Sequence, residues 1–209
     1  MSQSAIIPLF SAAARRHRFQ GSDQELVDAI RDGHAAGAGE LFDRYGPHIQ
    51  RVLANIMGFD PELADLLQEV FVRALGSIQS LNDGAKLKAW LTSIAVYTAR
   101  GCIRSRCRRR WLGLATPEQV DGLSSPDVPQ EVREALRCTY EVLARLPANE
   151  RIAFTLRHVN GMELTEVADA CGVSLATIKR RLVKARQRFT TLARHRPALR
   201  SWLEEGDDD

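Results

Sequence analysis

The sequence predicts an all-α protein: two small helical bundles joined by a flexible linker, the C-terminal one containing a helix-turn-helix. Three observations lead there. Apolar residues recur at three- and four-residue spacing through both halves. No alternating strand pattern runs longer than five residues. A stretch rich in Pro, Gly and Ser, with no usable period, separates the halves.

The first half is expected to span 21–112. Ser22-Asp-Gln-Glu25 reads as a capping box, with Leu26, Val27 and Ile30 following at helical spacing. A second helix is expected from about Ala38, with Leu41, Phe42, Tyr45, Ile49, Val52, Leu53 and Ile56 on one face; Pro47 should bend it or end its first part. Asp60-Pro61 reads as an N-cap followed by proline at the first helical position. Leu63, Leu66, Leu67, Val70, Phe71, Ala74 and Leu75 then make a wide apolar stripe. The turn Ser80-Leu-Asn-Asp-Gly84 ends it. A long helix starts near Lys86, points Leu87, Trp90, Leu91, Ile94 and Ala95 inward, and continues through an arginine run.

The linker is placed at 113–130, with Pro117, Pro126 and Pro129. The second half is placed at 131–197. Val132, Leu136, Tyr140, Leu143 and Leu146 form one stripe. Pro147 opens the next helix, with Ile152, Phe154, Leu156 and Val159 inside, and Asn160-Gly161 closes it. A short helix covers Leu164–Cys171. Gly172 follows as a left-handed cap, and Ser174 N-caps a last long helix. Residues 1–20 read as a disordered extension and 198–209 as an acidic tail.

The 209 residues carry a net charge of only +3, but the charge is unevenly placed. From Gln20 to Ile78 there are ten acidic and four basic residues. From Arg100 to Arg110 there are six arginines and no acid, and from Gly172 to Arg196 eight Lys or Arg and no acid. This distribution predicts an acidic surface for a protein partner and two basic surfaces for a polyanion. Cys102, Cys107, Cys138 and Cys171 have no metal-ligand spacing, so neither a zinc site nor a disulfide framework is expected. Arginines beside Cys102 and Cys107 leave a redox thiol as an alternative reading. No metal, no catalytic residue, no cofactor and no membrane insertion is expected, and free thiols fit a cytoplasmic protein.

The short helix, glycine turn and longer helix make the helix-turn-helix. Ile178, Leu182, Ala185, Phe189 and Leu192 must face its core. The N-terminal half of the second helix enters a major groove in this motif, so Ser174, Ala176, Thr177, Lys179, Arg180, Arg181 and Lys184 are the candidate contacts. Lys and Arg pair with guanine edges, and a Thr methyl meets a thymine methyl. Lys184, Arg186 and Arg188 are better placed for phosphates. The arginine run differs, because its helix also carries Trp90 and Tyr97. Arginines track a backbone while aromatic faces stack on exposed bases. Trp90 falls on the core stripe and Tyr97 at its edge.

Four ordered motifs then resemble the extracytoplasmic-function group of bacterial sigma factors. Asp65-Leu-Leu-Gln-Glu-Val-Phe-Val-Arg-Ala74 is similar to the family's polymerase-binding helix, D-L-x-Q-E-x-F-x-R-A. Ala89-Trp-Leu-Thr-Ser-Ile-Ala95 resembles its W-L-x-x-I-A segment. Leu146-Pro-Ala-Asn-Glu-Arg151 resembles L-P-x-x-x-R, and Thr177-Ile-Lys-Arg-Arg-Leu-Val-Lys-Ala-Arg186 resembles T-V-K-S-R-L-x-R-A-R. The resemblance implies a non-enzymatic subunit of RNA polymerase whose first bundle is region 2 and whose second is region 4. Asp65, Gln68 and Glu69 would dock on the β′ clamp of core polymerase, with the β flap as a further contact and an anti-sigma factor as a possible partner. The −10 promoter element would meet Lys86, Lys88, Trp90, Tyr97, Arg100, Arg104, Arg106 and Arg108. The linker would thread toward the RNA exit path, and the helix-turn-helix would read the −35 element. Strand opening needs neutralised phosphates and a place for an unstacked base.

Five positions depart from the family pattern. Val96 and Tyr97 replace Arg-Asn, and Gly101 stands where an acid is usual. Asn makes a bidentate adenine contact, whereas Tyr97 stacks or gives one hydrogen bond. Arg180 replaces a small Ser, and Glu163 replaces a serine cap. Two alternatives use the same residues differently: a helix-turn-helix regulator acting without polymerase, and a recombinase, for which no nucleophile set with its partners is found.

Overall fold

The computed structural model describes residues 21–112 and 129–199. The expected N-terminal extension, nearly all of the linker and most of the acidic tail lie outside the described residues. The described residues form α1 (Asp23–Arg31), α2 (Ala35–Met57), α3 (Leu63–Ser77), α4 (Leu87–Trp111), α5 (Gln130–Ala144), α6 (Ala148–His158), α7 (Leu164–Cys171) and α8 (Leu175–Ala193). Short 3-10 turns at Ile78–Ser80 and Gly84–Lys86 join α3 to α4, and no strand occurs among the described residues.

Local chemistry sets most of the boundaries. The Ser22–Glu25 capping box forms: the Glu25 amide donates to Ser22 Oγ at 3.3 Å, and the Ser22 amide to Glu25 Oε2 at 2.7 Å. Of the two outcomes expected at Pro47, a bend or an end, the end does not occur: α2 runs through it. A proline inside a helix costs about 3 kcal/mol. The face carrying Leu41, Ile49, Val52, Leu53 and Ile56 is buried on both sides of it and offsets that cost. Asp60 is not the N-cap of α3, which starts two residues later than expected, behind Glu62. Asp60 Oδ1 instead accepts from the Glu62 amide at 2.9 Å, and the carboxylate is taken by Arg106 of α4.

In the second half, Leu136 is 39% exposed and Val159 46% exposed, against expectation. The buried face of α5 is Ala135, Cys138, Val142 and Leu143. Its small residues let α8 approach closely, so the apolar stripe read from the larger side chains was rotated from the true one.

The two halves pack on each other. α4 lies between α2 and α3 on one side and α6 and α7 on the other, and α6 also packs on α2. One continuous core joins Leu53, Ile56, Leu91 and Val96 of the first half to Ile152, Leu156, Val167 and Ile178 of the second. A smaller core holds α5 to α8 through Cys138, Val142 and Ala185, with Phe154 stacked on Phe189 at 5.1 Å.

Candidate nucleic-acid interface

The helix-turn-helix is built as its residues dictate. Gly172 has φ 65°, the left-handed conformation that glycine adopts without a Cβ penalty. Its N–H bonds back to Asp169 O, and that of Val173 to Ala168 O, both at 3.1 Å, closing α7. Ser174 caps α8, its Oγ accepting from the Thr177 amide at 3.3 Å. Glu163 begins α7 with its amide donating to the Glu166 carboxylate at 2.8 Å, so the serine cap is replaced by a glutamate pair.

On α8, Ile178 and Ala185 are buried, and Leu182, Phe189 and Leu192 half-buried. Ser174, Ala176, Lys179, Arg180 and Lys184 are exposed. Thr177 and Arg181 are half-buried, and Arg181 Nη1 is buried without a hydrogen-bond partner, so these two flank the outward face. The centre of that face includes two residues missed from sequence: Val183, 58% exposed, and Gln187. Steps of four and three from Lys179 would have found both. Arg188 is held by Glu150 at 2.6 Å, while Arg186 is exposed.

The long helix α4 is buried around most of its circumference, which leaves a strip of Tyr97, Gly101, Arg104 and Arg108 in solvent, with Cys107 and Arg109 exposed beside its far end. Lys86 and Lys88 are exposed at its start. Trp90 is half-buried against the core. Tyr97 is 61% exposed, and the Arg73 guanidinium lies over its ring. A cleft of about 510 Å³ opens beside Tyr97, lined by Arg73, Ser77, Ser93, Ile94 and Arg100 together with the 169–172 turn. Arg100 is half-buried and donates through Nη2 to the Cys171 carbonyl at 3.2 Å. Arg106 turns off the strip. It bonds Asp60 Oδ1 at 2.9 Å and Glu62 Oε2 at 2.6 Å, and these partners raise its pKa further. Its charge is therefore balanced within the protein, and it is not part of the exposed basic face.

Asp65, Gln68 and Glu69 lie exposed on one face of α3, one helical turn apart, and Val72, 69% exposed, extends that face. The patch is acidic with an apolar end. Burial pushes the Cys102 thiol upward more than nearby arginines lower it, which works against a reactive thiolate there. Among the described residues no group of three His, Cys, Asp or Glu is placed to hold a metal ion, and no helix is long and apolar enough to cross a membrane.

Known proteins match this arrangement in both halves. The family described as "Sigma-70 region 2" matches residues 41–112, and "Sigma-70, region 4" matches residues 136–189. The ECF RNA polymerase sigma factor EcfG of Rhodopseudomonas palustris is 28% identical over 171 residues, 80% of this chain and 86% of the relative. The ECF RNA polymerase sigma-E factor of Haemophilus influenzae is 25% identical over 177 residues, 80% of this chain and 93% of the relative. Among solved structures, the sigma factor RpoE of Bartonella quintana, in complex with the anti-sigma factor NepR, superposes with a TM-score of 0.56 at 22% identity, covering 83% of this chain and 96% of that one. CnrH, in complex with the cytosolic domain of CnrY, gives a TM-score of 0.57 at 20% identity, covering 82% and 97%. With both regions matched in order across most of the described residues, the chain belongs to the sigma-70 family, in its extracytoplasmic-function group, and is an RNA polymerase sigma factor that serves promoter recognition.

Proposed function

We propose that this sigma factor reads promoters through two separate faces and docks on polymerase through a third. The outward face of α8, with Ser174, Ala176, Lys179, Arg180, Val183 and Lys184, enters the major groove of the −35 element. The strip of Tyr97, Arg104 and Arg108, with Lys86 and Lys88 at the start of α4, follows the −10 strand, and Tyr97 stacks on an unpaired base. Asp65, Gln68, Glu69 and Val72 meet the β′ clamp, and the second bundle meets the β flap. Residues 21–112 act as region 2 and 131–197 as region 4.

The observation that carries this reading is the division of exposed charge: basic on α8 and on one edge of α4, acidic on α3. Phosphate contacts set affinity and register, base contacts set sequence choice, and stacking holds the displaced base. None of these steps calls on a nucleophile or bound metal from this chain, so the protein acts without catalysing a reaction, in the cytoplasm with polymerase and the chromosome. An anti-sigma protein is a fitting regulator, since one of the solved relatives described above, RpoE of Bartonella quintana, is held in such a complex.

Run-off transcription with core polymerase on a randomised promoter library tests the proposal. A selected pair of elements is the expected result; no transcript above core polymerase alone would refute it.

A further inference from the structure

A second cleft, of about 590 Å³, runs between α3 and α4 within the first half. Small-molecule sites span ~300–1,000 Å³, so it is large enough for a ligand. The two helices line it in opposite directions: Arg73 lies over Tyr97 at one end, and Glu62 takes Arg106 toward the other. The groups along it therefore have a fixed order.

Tyr97, 61% exposed, stands at the first end with one face backed by Arg73. Both bonds from Arg73 go to Glu69 Oε1, which leaves Oε2 as a free acceptor. Thr98 adds to the lining here; it is 4% exposed, and its Oγ1 is buried without a hydrogen-bond partner. One turn on, Gly101 leaves the wall open, since a Cβ built on it meets nothing within 4 Å. Asp65 comes next on α3, exposed and without an ion-pair partner among the described residues. Arg104 and Arg109 complete the order, both exposed and also without an acidic partner among the described residues. Along the helix axis they lie about 10 and 18 Å from Tyr97, at ~1.5 Å per residue.

An aromatic face with a nearby acceptor, then a lone carboxylate, then two guanidiniums, matches a base, a ribose and phosphates in turn. Aromatic faces stack bases, carboxylates take ribose hydroxyls, and arginines bind phosphate oxygens in pairs. We propose that the α3–α4 cleft binds a free purine nucleoside diphosphate. The base stacks on the open face of Tyr97, above Gly101, and its amino group donates to Glu69 Oε2. The Thr98 hydroxyl donates to a ring nitrogen. Asp65 accepts from the ribose hydroxyls, and Arg104 and Arg109 hold the phosphates. The bound nucleotide thereby occupies Tyr97, Asp65 and Glu69, the groups assigned above to the −10 strand and the β′ clamp. Nucleotide and polymerase exclude each other, and the effect is reciprocal. That consequence rests on the assignment of those faces; the cleft itself does not.

Calorimetric titration of the full chain with ADP and GDP tests the site without polymerase or promoter. Binding of one nucleotide per chain at micromolar affinity is the expected result. Pyrophosphate, which lacks the base and ribose, and 2′-deoxy-ADP, which lacks one hydroxyl for Asp65, should each bind at least about tenfold more weakly. Arg104→Ala and Gly101→Glu should each lower ADP affinity at least about tenfold. Gly101 faces open space within a helix, so Gly101→Glu should fold, and its thermal melt checks this. No binding of either nucleotide at millimolar concentration overturns the proposal. So does pyrophosphate binding as tightly as ADP, or wild-type affinity in Gly101→Glu. In a second measurement, ADP should weaken binding of the labelled protein to core polymerase but leave that of Gly101→Glu unchanged, which separates competition at the cleft from ADP acting on polymerase. ADP that binds the chain without such competition overturns the exclusion and counts against Asp65 and Glu69 as clamp contacts, while the calorimetry still supports the site.

Discussion

The Arg73 guanidinium lies 5.3 Å from the centroid of the Tyr97 ring while its Nε and Nη2 both donate to one oxygen of Glu69, at 2.9 and 2.6 Å. Glu69 thus steadies an arginine that backs one side of an exposed aromatic ring. An aromatic ring covered on one side offers its other side for stacking. Tyr97→Ala should weaken binding of a single-stranded −10 oligonucleotide to the holoenzyme by about 1–3 kcal/mol, and Tyr97→Phe should keep most of it. Equal losses in both variants, measured by fluorescence anisotropy, would assign the role to the hydroxyl.

Asp65 and Val72 mark the two ends of the α3 patch. Asp65→Ala should cost roughly 1–2 kcal/mol of affinity for core polymerase, and Val72→Asp at least as much. Both are exposed, so stability should change by no more than about 0.5 kcal/mol. Competition against a labelled sigma factor for core polymerase, with thermal melts in parallel, checks both statements.

The outward face of α8 separates base reading from phosphate binding. Arg180→Ala or Lys179→Ala should cost about 1–3 kcal/mol and relax one position of the −35 element if the residue meets a base edge, or flatten the salt slope by about one if it meets a phosphate. Val183→Ser should relax preference for a thymine without changing the slope. Holoenzyme binding to a −35 library at several salt concentrations distinguishes these.

His48 gives a pH dependence with a definite sign. Its Nε2 lies 3.1 Å from Thr92 Oγ1, whose own proton goes to the Lys88 carbonyl, so the imidazole is the donor. Burial, then Lys88 and Arg51, holds its pKa below the usual 6.5. In the unfolded chain the ring protonates first as pH falls through 6.5, so stability is full above that pH and declines below it until the folded protein also takes the proton. His158 is shifted the same way, by burial and by Arg157 and Arg186. Urea midpoints should fall between pH 7.5 and 5, and His48→Gln should remove part of the fall.

Gly172 holds its left-handed turn with open space around it, so an added methyl meets nothing and acts only through the backbone. Gly172→Ala should therefore cost about 1–2 kcal/mol and lower the melting temperature by about 2–8 °C. Loss of −35 binding beyond that would show that the turn also sets the angle of α8.

Motifs carried by local chemistry were legible in the sequence. The capping box at Ser22, the α3 stripe, the glycine turn and the α8 core face all depend on residues within two helical turns of each other. What escaped depends on partners far along the chain. The proline beside Asp60 makes it look like a cap, yet its carboxylate belongs to Arg106, 46 residues away. Without that partner in view, Arg106 is indistinguishable from the DNA-facing arginines of its run. Arg151 was visible only as a family motif, and nothing local says that it reaches Ile56. The α5 face was misjudged because Ala135 and Cys138 are small, and close approach favours small residues that a hydrophobic count undervalues. Val96 departs from the family pattern, and its complete burial accounts for an apolar side chain at that position.

That α4 is walled by both bundles bears on how such proteins can be recombined. A chimera joining residues 21–112 to the C-terminal half of a relative would inherit a seam shaped for α6 and α7 of this chain. Unless the incoming half supplied matching side chains at positions such as Ile152 and Val167, the seam would lie bare in the isolated hybrid and promote aggregation. Such hybrids should prove more soluble when co-expressed with core polymerase than alone, and transplanting the seam residues along with the reading helix should restore solubility.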